Sequence, residues 1–265
     1  QRDRPGRTRL ESHLRIAMQL CNAVHFANSR GIVHRDLKPD NVMLGRFGEV
    51  YLVDWGIATT AGSTNQFAGT PAYMAPEMLG GDGAVLSAAT DVYLLGAILC
   101  EVVSGRPPHL RATTQQMFQS VLASEPELPS DMPAELELVI RRCMAREPSS
   151  RHASAHDVRV ALEAFVEHQG SRELEQQSET RAAELSTLLG GEADPVRVSR
   201  LFSECRFGFQ QALRVWPHNA HAKASLANIT AEMVRFELKQ GSVRSAQTLL
   251  AELSEPPAAL VAAVA

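Results

Sequence analysis

The stretch His34-Arg35-Asp36-Leu37-Lys38-Pro39-Asp40-Asn41 constrains this chain more than any other. It sets three acidic or amide groups, two cations and a histidine around one proline. A segment built for packing alone would not gather so many charges beside Gly31-Ile32-Val33, which reads as buried. Each group has its own chemistry. Asp36 can accept a proton, Lys38 carries a mobile cation, and the Asn41 amide oxygen suits a hard metal ion.

Such a loop needs a scaffold, and the chain is long enough to build one. Its 265 residues, 45% hydrophobic and 21% charged, fit a soluble globular protein of one or two domains. The formal net charge of -4 gives no reason to expect a nucleic-acid partner. Of 26 basic residues only Lys38, Lys223 and Lys239 are lysines, so the lysine in the loop stands out. Cys21, Cys100, Cys143 and Cys205 lie far apart, with no C-x-x-C pair. They read as reduced core cysteines, and a cytoplasmic location is expected. No basic-then-apolar leader opens the sequence, and the longest apolar run, Val92–Cys100, is too short to span a bilayer.

Thr8 to Glu11 carries a capping-box pattern, and Leu10, Leu14, Ala17, Met18, Cys21 and Val24 follow at helical spacing. This helix is expected to stop near Gly31, which tolerates a left-handed backbone. Val42-Met43-Leu44 and Val50-Tyr51-Leu52-Val53 flank a glycine-bearing turn and predict a β-hairpin. The second strand runs into Asp54-Trp55-Gly56, an acid before an aromatic and a glycine. Residues 57–67 are small and polar and read as a mobile loop. Gly69-Thr70-Pro71-Ala72-Tyr73-Met74-Ala75-Pro76-Glu77 follows. Ser87 to Ser104 predicts a long apolar helix around Asp91, ended by Gly105 and Pro107-Pro108. Periodicity predicts three more helices, over 113–124, 133–145 and 154–168.

Three of these motifs, in this order, resemble those of protein kinases. His34–Asn41 resembles the catalytic loop, and Asp54-Trp55-Gly56 the metal-binding motif, with tryptophan where the family usually has phenylalanine. Gly69–Glu77 resembles the end of the activation segment. The resemblance runs from about Thr8 to Gln169. It implies a kinase large lobe, mainly α-helical, with a small β-hairpin at the catalytic cleft. It implies transfer of the ATP γ-phosphate, with Mg2+, to serine or threonine hydroxyls of protein substrates. Asp36 would orient the hydroxyl and take its proton, and Lys38 would neutralise the moving phosphoryl group. Thr70 would bridge Asp36 and Lys38, while Asn41 and Asp54 would hold Mg2+. A lysine two residues after the aspartate is the serine/threonine form.

The same resemblance assigns supporting roles. Asp91 would bind the catalytic-loop backbone, and Glu77 would form a buried ion pair with Arg151. His34 would pack under the activation segment. Arg35 would meet a phosphorylated loop, with Thr64, then Ser63 and Thr60, as candidate sites. The family's glycine-rich loop and strand lysine have no counterpart, since neither G-x-G-x-x-G nor V-A-x-K occurs. The small lobe is therefore expected upstream, and this chain alone is expected to be inactive.

Beyond Gly170 the kinase resemblance ends. Arg172 to Leu189 predicts a linking helix, broken by Gly190-Gly191. Asp194-Pro195 opens a helix to about Trp216, and Pro217-His218-Asn219 predicts a turn. A second helix runs to Gln240, Gly241 stops it, and a third is expected from Val243 to Leu253. Leu238-Lys239-Gln240-Gly241, Ala246 and Pro256 resemble the middle and end of a tetratricopeptide repeat; a generic helical hairpin fits as well. The terminal apolar run Ala258–Ala265 carries no stop signal. The expected domains are 1–169, a kinase large lobe, and 170–265, a helical extension that offers a surface to a protein partner. Two function classes stand: a serine/threonine kinase whose nucleotide lid lies upstream, and a non-catalytic lobe that docks partners. The intact set Asp36, Lys38, Asn41 and Asp54 favours the first.

Overall fold

The computed structural model describes residues 5–63, 67–80, 84–191, 194–254 and 256–264, and these are predominantly helical. They form two compact units, Gln1–Phe165 and Val166–Ala265.

In the first unit, helix α1 spans Pro5–Asn28. It begins before the expected capping box, so Thr8 lies inside the helix; a proline in the first turn suits this start, because its missing N–H has no helical partner there anyway. Its buried face is Leu14, Ala17, Leu20, Cys21, Val24 and Ala27, a 3–4 spacing. Gly31 follows at φ 73°, the left-handed turn the sequence predicts.

Strand β1 is Ile32–Val33 and β4 is Thr59–Thr60, paired antiparallel. Between them β2, Val42–Leu44, and β3, Val50–Leu52, form the predicted hairpin. β4 falls in the segment that reads as a mobile loop. Two residues are too few to show a period, although threonine suits a strand. β1 corrects a second expectation: Val33 is buried but Ile32 is 39% exposed, because neighbouring strand residues face opposite ways.

Helix α2, Ala88–Ser104, is the core of this unit. Ser87 caps it: its Oγ accepts from Ala89 N at 3.2 Å, and its N–H donates to Thr90 Oγ1 at 3.2 Å. Every residue from Thr90 to Cys100 is buried, as expected of a helix apolar on all sides. α1 and α4, Ala134–Cys143, pack against α2. A Cβ on Gly96 would lie 2.5 Å from Cys143 Cβ, so only glycine allows this approach. α3, Thr114–Ala123, lies within the span its periodicity predicts, and Thr113 caps it.

Helix α5, Ala155–Leu189, is one continuous element of 35 residues, where the sequence predicts two helices separated near Gly170. A lone glycine costs a helix only about 1 kcal/mol, too little to break it without a proline. In the second unit, α6 is Pro195–Val215, α7 Ala220–Lys239 and α8 Val243–Leu250. Asp194 Oδ1 accepts from Val196 N at 3.1 Å, and Asn219 Oδ1 from Ala222 N at 3.1 Å, capping α6 and α7. α8 ends three residues before the expected Leu253, and the terminal apolar run forms α9, Ala258–Val264. Leu185, Val198, Phe202, Phe209 and Ile229 share one core cluster, while Leu260 and Val264 of α9 join Val234 and Ala246 in another.

All four cysteines are free and buried, and burial pushes the Cys21 thiol up to about 12. Among the described residues no helix is long and apolar enough to cross a membrane.

Candidate active site

The loop after β1 is held in an unfavourable backbone shape. Arg35 has φ 73° and Asp54 has φ 63°, left-handed values that cost a non-glycine residue about 1–3 kcal/mol. Asp91 holds the first of these turns. Its carboxylate is fully buried and accepts from His34 N at 2.9 Å, Arg35 N at 3.0 Å and Asn28 Nδ2 at 2.8 Å. Burial raises its pKa, and the three donors oppose that rise while making an ionised group tolerable inside the core. Asn28 also donates to Ile32 O at 2.9 Å, so it fastens the end of α1 to β1. Sequence reading missed Asn28, since a polar residue ending a helix carries no distinctive pattern.

Around Asp36 the predicted residues meet. Thr70 Oγ1 donates to Asp36 Oδ1 at 2.7 Å and accepts from Lys38 Nζ at 2.8 Å. Lys38 Nζ also reaches Asp36 Oδ2 at 2.8 Å. Asn41 Nδ2 donates to Asp36 Oδ2 at 3.0 Å and to Asp36 O at 2.8 Å. Burial alone would raise the Asp36 pKa. The hydrogen bonds from Lys38 and Thr70, the Lys38 charge and the Asn41 bond outweigh it and hold the carboxyl below the usual carboxylate range.

His34 Nδ1 lies 3.3 Å from the Asp36 N–H, and Nε2 lies 3.2 Å from Val53 O. Those partners require a bare Nδ1 and a proton on Nε2. The ring also meets Trp55 edge-on, with centroids 4.5 Å apart, so His34 clamps the loop to the end of β3. Trp55 Nε1 donates to Leu52 O at 3.1 Å. The indole is thus accommodated while 41% exposed.

The oxygens available to a cation come from Asn41 and Asp54. With its Asn41 nitrogen committed twice to Asp36, the amide turns its oxygen away from that carboxylate. Asp54 is exposed, and its Oδ1 takes only a long bond of 3.4 Å from Gly56 N. One amide oxygen and one carboxylate suit Mg2+, which takes few protein oxygens and fills its sphere with phosphates and water. Among the described residues no cluster of three His, Cys, Asp or Glu side chains offers an all-protein metal cage.

Behind the site, Glu77 and Arg151 form the predicted pair through two bonds, NH1 to Oε1 at 2.7 Å and NH2 to Oε2 at 2.8 Å. Tyr73 OH donates to Glu101 Oε2 at 2.6 Å, tying the Gly69–Glu77 segment to α2; neither residue stood out in the sequence.

The protein kinase domain model matches residues 6–162, more than half of the chain. This chain belongs to the protein kinase family. It is similar to serine/threonine-protein kinase PkaA of Streptomyces coelicolor, 38% identical over 170 residues, covering 60% of this chain and 31% of that one. It is also similar to serine/threonine-protein kinase PknK of Mycobacterium bovis, 39% identical over 155 residues, 55% of this chain and 14% of the other. With serine/threonine-protein kinase PknD of Chlamydia trachomatis it shares 31% identity over 226 residues, 74% of this chain and 24% of the relative. The chain therefore spans less than a third of the length of these curated relatives.

Of the candidate phosphorylation sites, Thr64 lies outside the described residues. Thr60 is exposed on β4, and Ser63 Oγ accepts from Thr59 Oγ1 at 3.2 Å. Arg35 is buried, with one guanidinium nitrogen 3.3 Å from Ile57 O.

Proposed function

We propose that this kinase domain transfers the γ-phosphate of ATP to serine or threonine hydroxyls of protein substrates. A glycine-rich loop and strand lysine outside these 265 residues would complete the cleft. The observation that carries this reading is the single bonded cluster of Asp36, Lys38, Thr70 and Asn41. Bound MgATP supplies the phosphoryl group. Asn41 and Asp54 would give the metal its protein oxygens. Asp36 orients the substrate hydroxyl and accepts its proton. Three donors make its carboxylate a weak base, so the proton transfers late, once the hydroxyl oxygen has become acidic. Lys38 would offset charge on the transferring group, and Thr70 keeps lysine and aspartate in register.

Glu77, bonded to Arg151, anchors the Gly69–Glu77 segment as the platform for a peptide. Arg35, with Thr60, Ser63 and Thr64 downstream, is the proposed phosphate-responsive element. The helical extension over 170–265 is read as a surface for a protein partner.

The test is an ATP phosphotransfer assay on protein extended through its upstream reading frame, with Asp36→Asn as control. Wild type is expected to turn over at about 1–100 s⁻¹, and the 265-residue chain alone to bind ATP weakly without turnover. Equal activity in wild type and Asp36→Asn would sink the assignment and leave the docking reading.

A further inference from the structure

His109 lies in the connection between α2 and α3, apart from the groups assigned to chemistry. Its ring is fully buried. Nε2 is 2.8 Å from Tyr93 OH on α2, and Nδ1 is 3.1 Å from Ser120 Oγ on α3. Tyr93 OH is also 2.9 Å from Ser124 Oγ, and Ser124 donates to Met144 O at 3.0 Å. The backbone N–H of His109 donates to Ala72 O at 3.1 Å, in the middle of the Gly69–Glu77 segment.

Proton accounting gives this chain one direction. Ser124 spends its single proton on Met144 O, so its oxygen accepts from Tyr93. Tyr93 has then spent its proton, so its oxygen accepts from His109 Nε2–H. That leaves Nδ1 bare to accept from Ser120. Every hydroxyl donates once. Ser124 closes α3 at φ 56°, where glycine would be less strained but could not relay the bond.

We propose that His109 is a positioning residue, its buried, Nε2-protonated ring setting the Ala72–Tyr73 part of the peptide platform against α2, α3 and the end of α4. The proposal rests on the reading of Gly69–Glu77 as a peptide platform. A second proton on Nδ1 would face the Ser120 hydroxyl, which would have to reverse. Burial and then the Arg111 charge push the ring pKa down to about 4. The other groups facing the network are Tyr93, stacked on the ring, Arg151, 4.8 Å over the Tyr93 ring and itself paired with Glu77, and the Cys100 thiol, which burial pushes up to about 11.

The test uses the 265-residue chain, so it does not depend on turnover. Two-bond nitrogen–proton NMR should report the Nε2–H tautomer for His109, with no titration above about pH 5. In hydrogen exchange, His109→Leu should speed the amides at positions 73 and 109 about tenfold while α2 core amides stay unchanged. His109→Gln, which keeps a donor and an acceptor, should exchange like wild type. An Nδ1–H tautomer or a titration near pH 6.5 overturns the proposal. So does unchanged exchange in His109→Leu, or acceleration shared by the segment and α2. If His109→Leu does not fold, faster segment exchange in His109→Gln overturns it too. Failure of phosphotransfer with these results intact would fault the kinase reading alone.

Discussion

Arg151 holds Glu77 through two hydrogen bonds of 2.7 and 2.8 Å, in a site where their side chains are 0% and 9% exposed. The same guanidinium donates to Ala145 O, Ala89 O and Arg146 O, at 2.8, 2.8 and 3.0 Å. The pair thus closes the Gly69–Glu77 segment onto α2 and the turn after α4. Removing one partner leaves a buried charge. Glu77→Ala is expected to lose about 3–5 kcal/mol in urea unfolding, and Arg151→Met at least as much, because three carbonyls also lose their donor. A loss under about 1 kcal/mol in Glu77→Ala would mean that the pair behaves like an exposed one.

Asp91→Ala orphans two buried donors, the amides of His34 and Arg35, and leaves Asn28 Nδ2 with Ile32 O alone. Each buried orphan costs about 1–3 kcal/mol, so the loss should be about 2–6 kcal/mol. Hydrogen exchange at His34 and Arg35 should accelerate well beyond that at α1 amides. Unchanged exchange at those two positions would contradict Asp91's role in holding the loop.

Gly96→Ala sets two effects against each other. Alanine favours a helix by about 1 kcal/mol over glycine. Here its Cβ would meet Cys143 Cβ at 2.5 Å and Met144 Cγ at 2.8 Å, inside a packed core. Overpacking of this kind costs about 1–3 kcal/mol, so the variant should melt below wild type. A higher melting temperature would show that α4 can shift away.

Acid should expose the bonding of Asp36. Its folded pKa is depressed below the ordinary value of about 3.9, so the unfolded chain binds more protons in that range. The stability it contributes is therefore present above about pH 4 and lost as pH falls through the folded value. Asp36→Asn lacks this contribution at every pH, so its deficit in urea midpoint should be largest near neutrality and shrink in acid. A deficit constant from pH 7 to 3 would argue that the carboxylate gains nothing from Lys38, Thr70 and Asn41.

Much of the site was legible because its groups are close in sequence or sit in punctuated motifs. Asp36, Lys38 and Asn41 fall within one loop, and Thr70 belongs to a block ending in Ala-Pro-Glu. Caps were read less evenly: Asp194 accepts the bond its place before Pro195 predicts, the capping box expected at Thr8 falls inside α1, and the caps at Ser87, Thr113 and Asn219 emerge only in the structure. The misses have physical causes. β4 is a strand only because β1 lies beside it, and two residues cannot display a period. α5 passes through Gly170 because a glycine penalty is small against a long run of helical residues.

From the sequence alone came the candidate site residues, the order of their motifs and the buried face of α1, since these depend on residue type and local spacing. Tertiary structure decided the rest. Asn28, Asp91 and the loop turn converge from positions 63 or fewer apart, and Ser120, His109, Tyr93 and Ser124 align their protons through three separate elements. Local spacing cannot carry such information. A buried donor is satisfied only by whichever acceptor the packing brings within about 3 Å, and here those acceptors lie on elements distant in sequence.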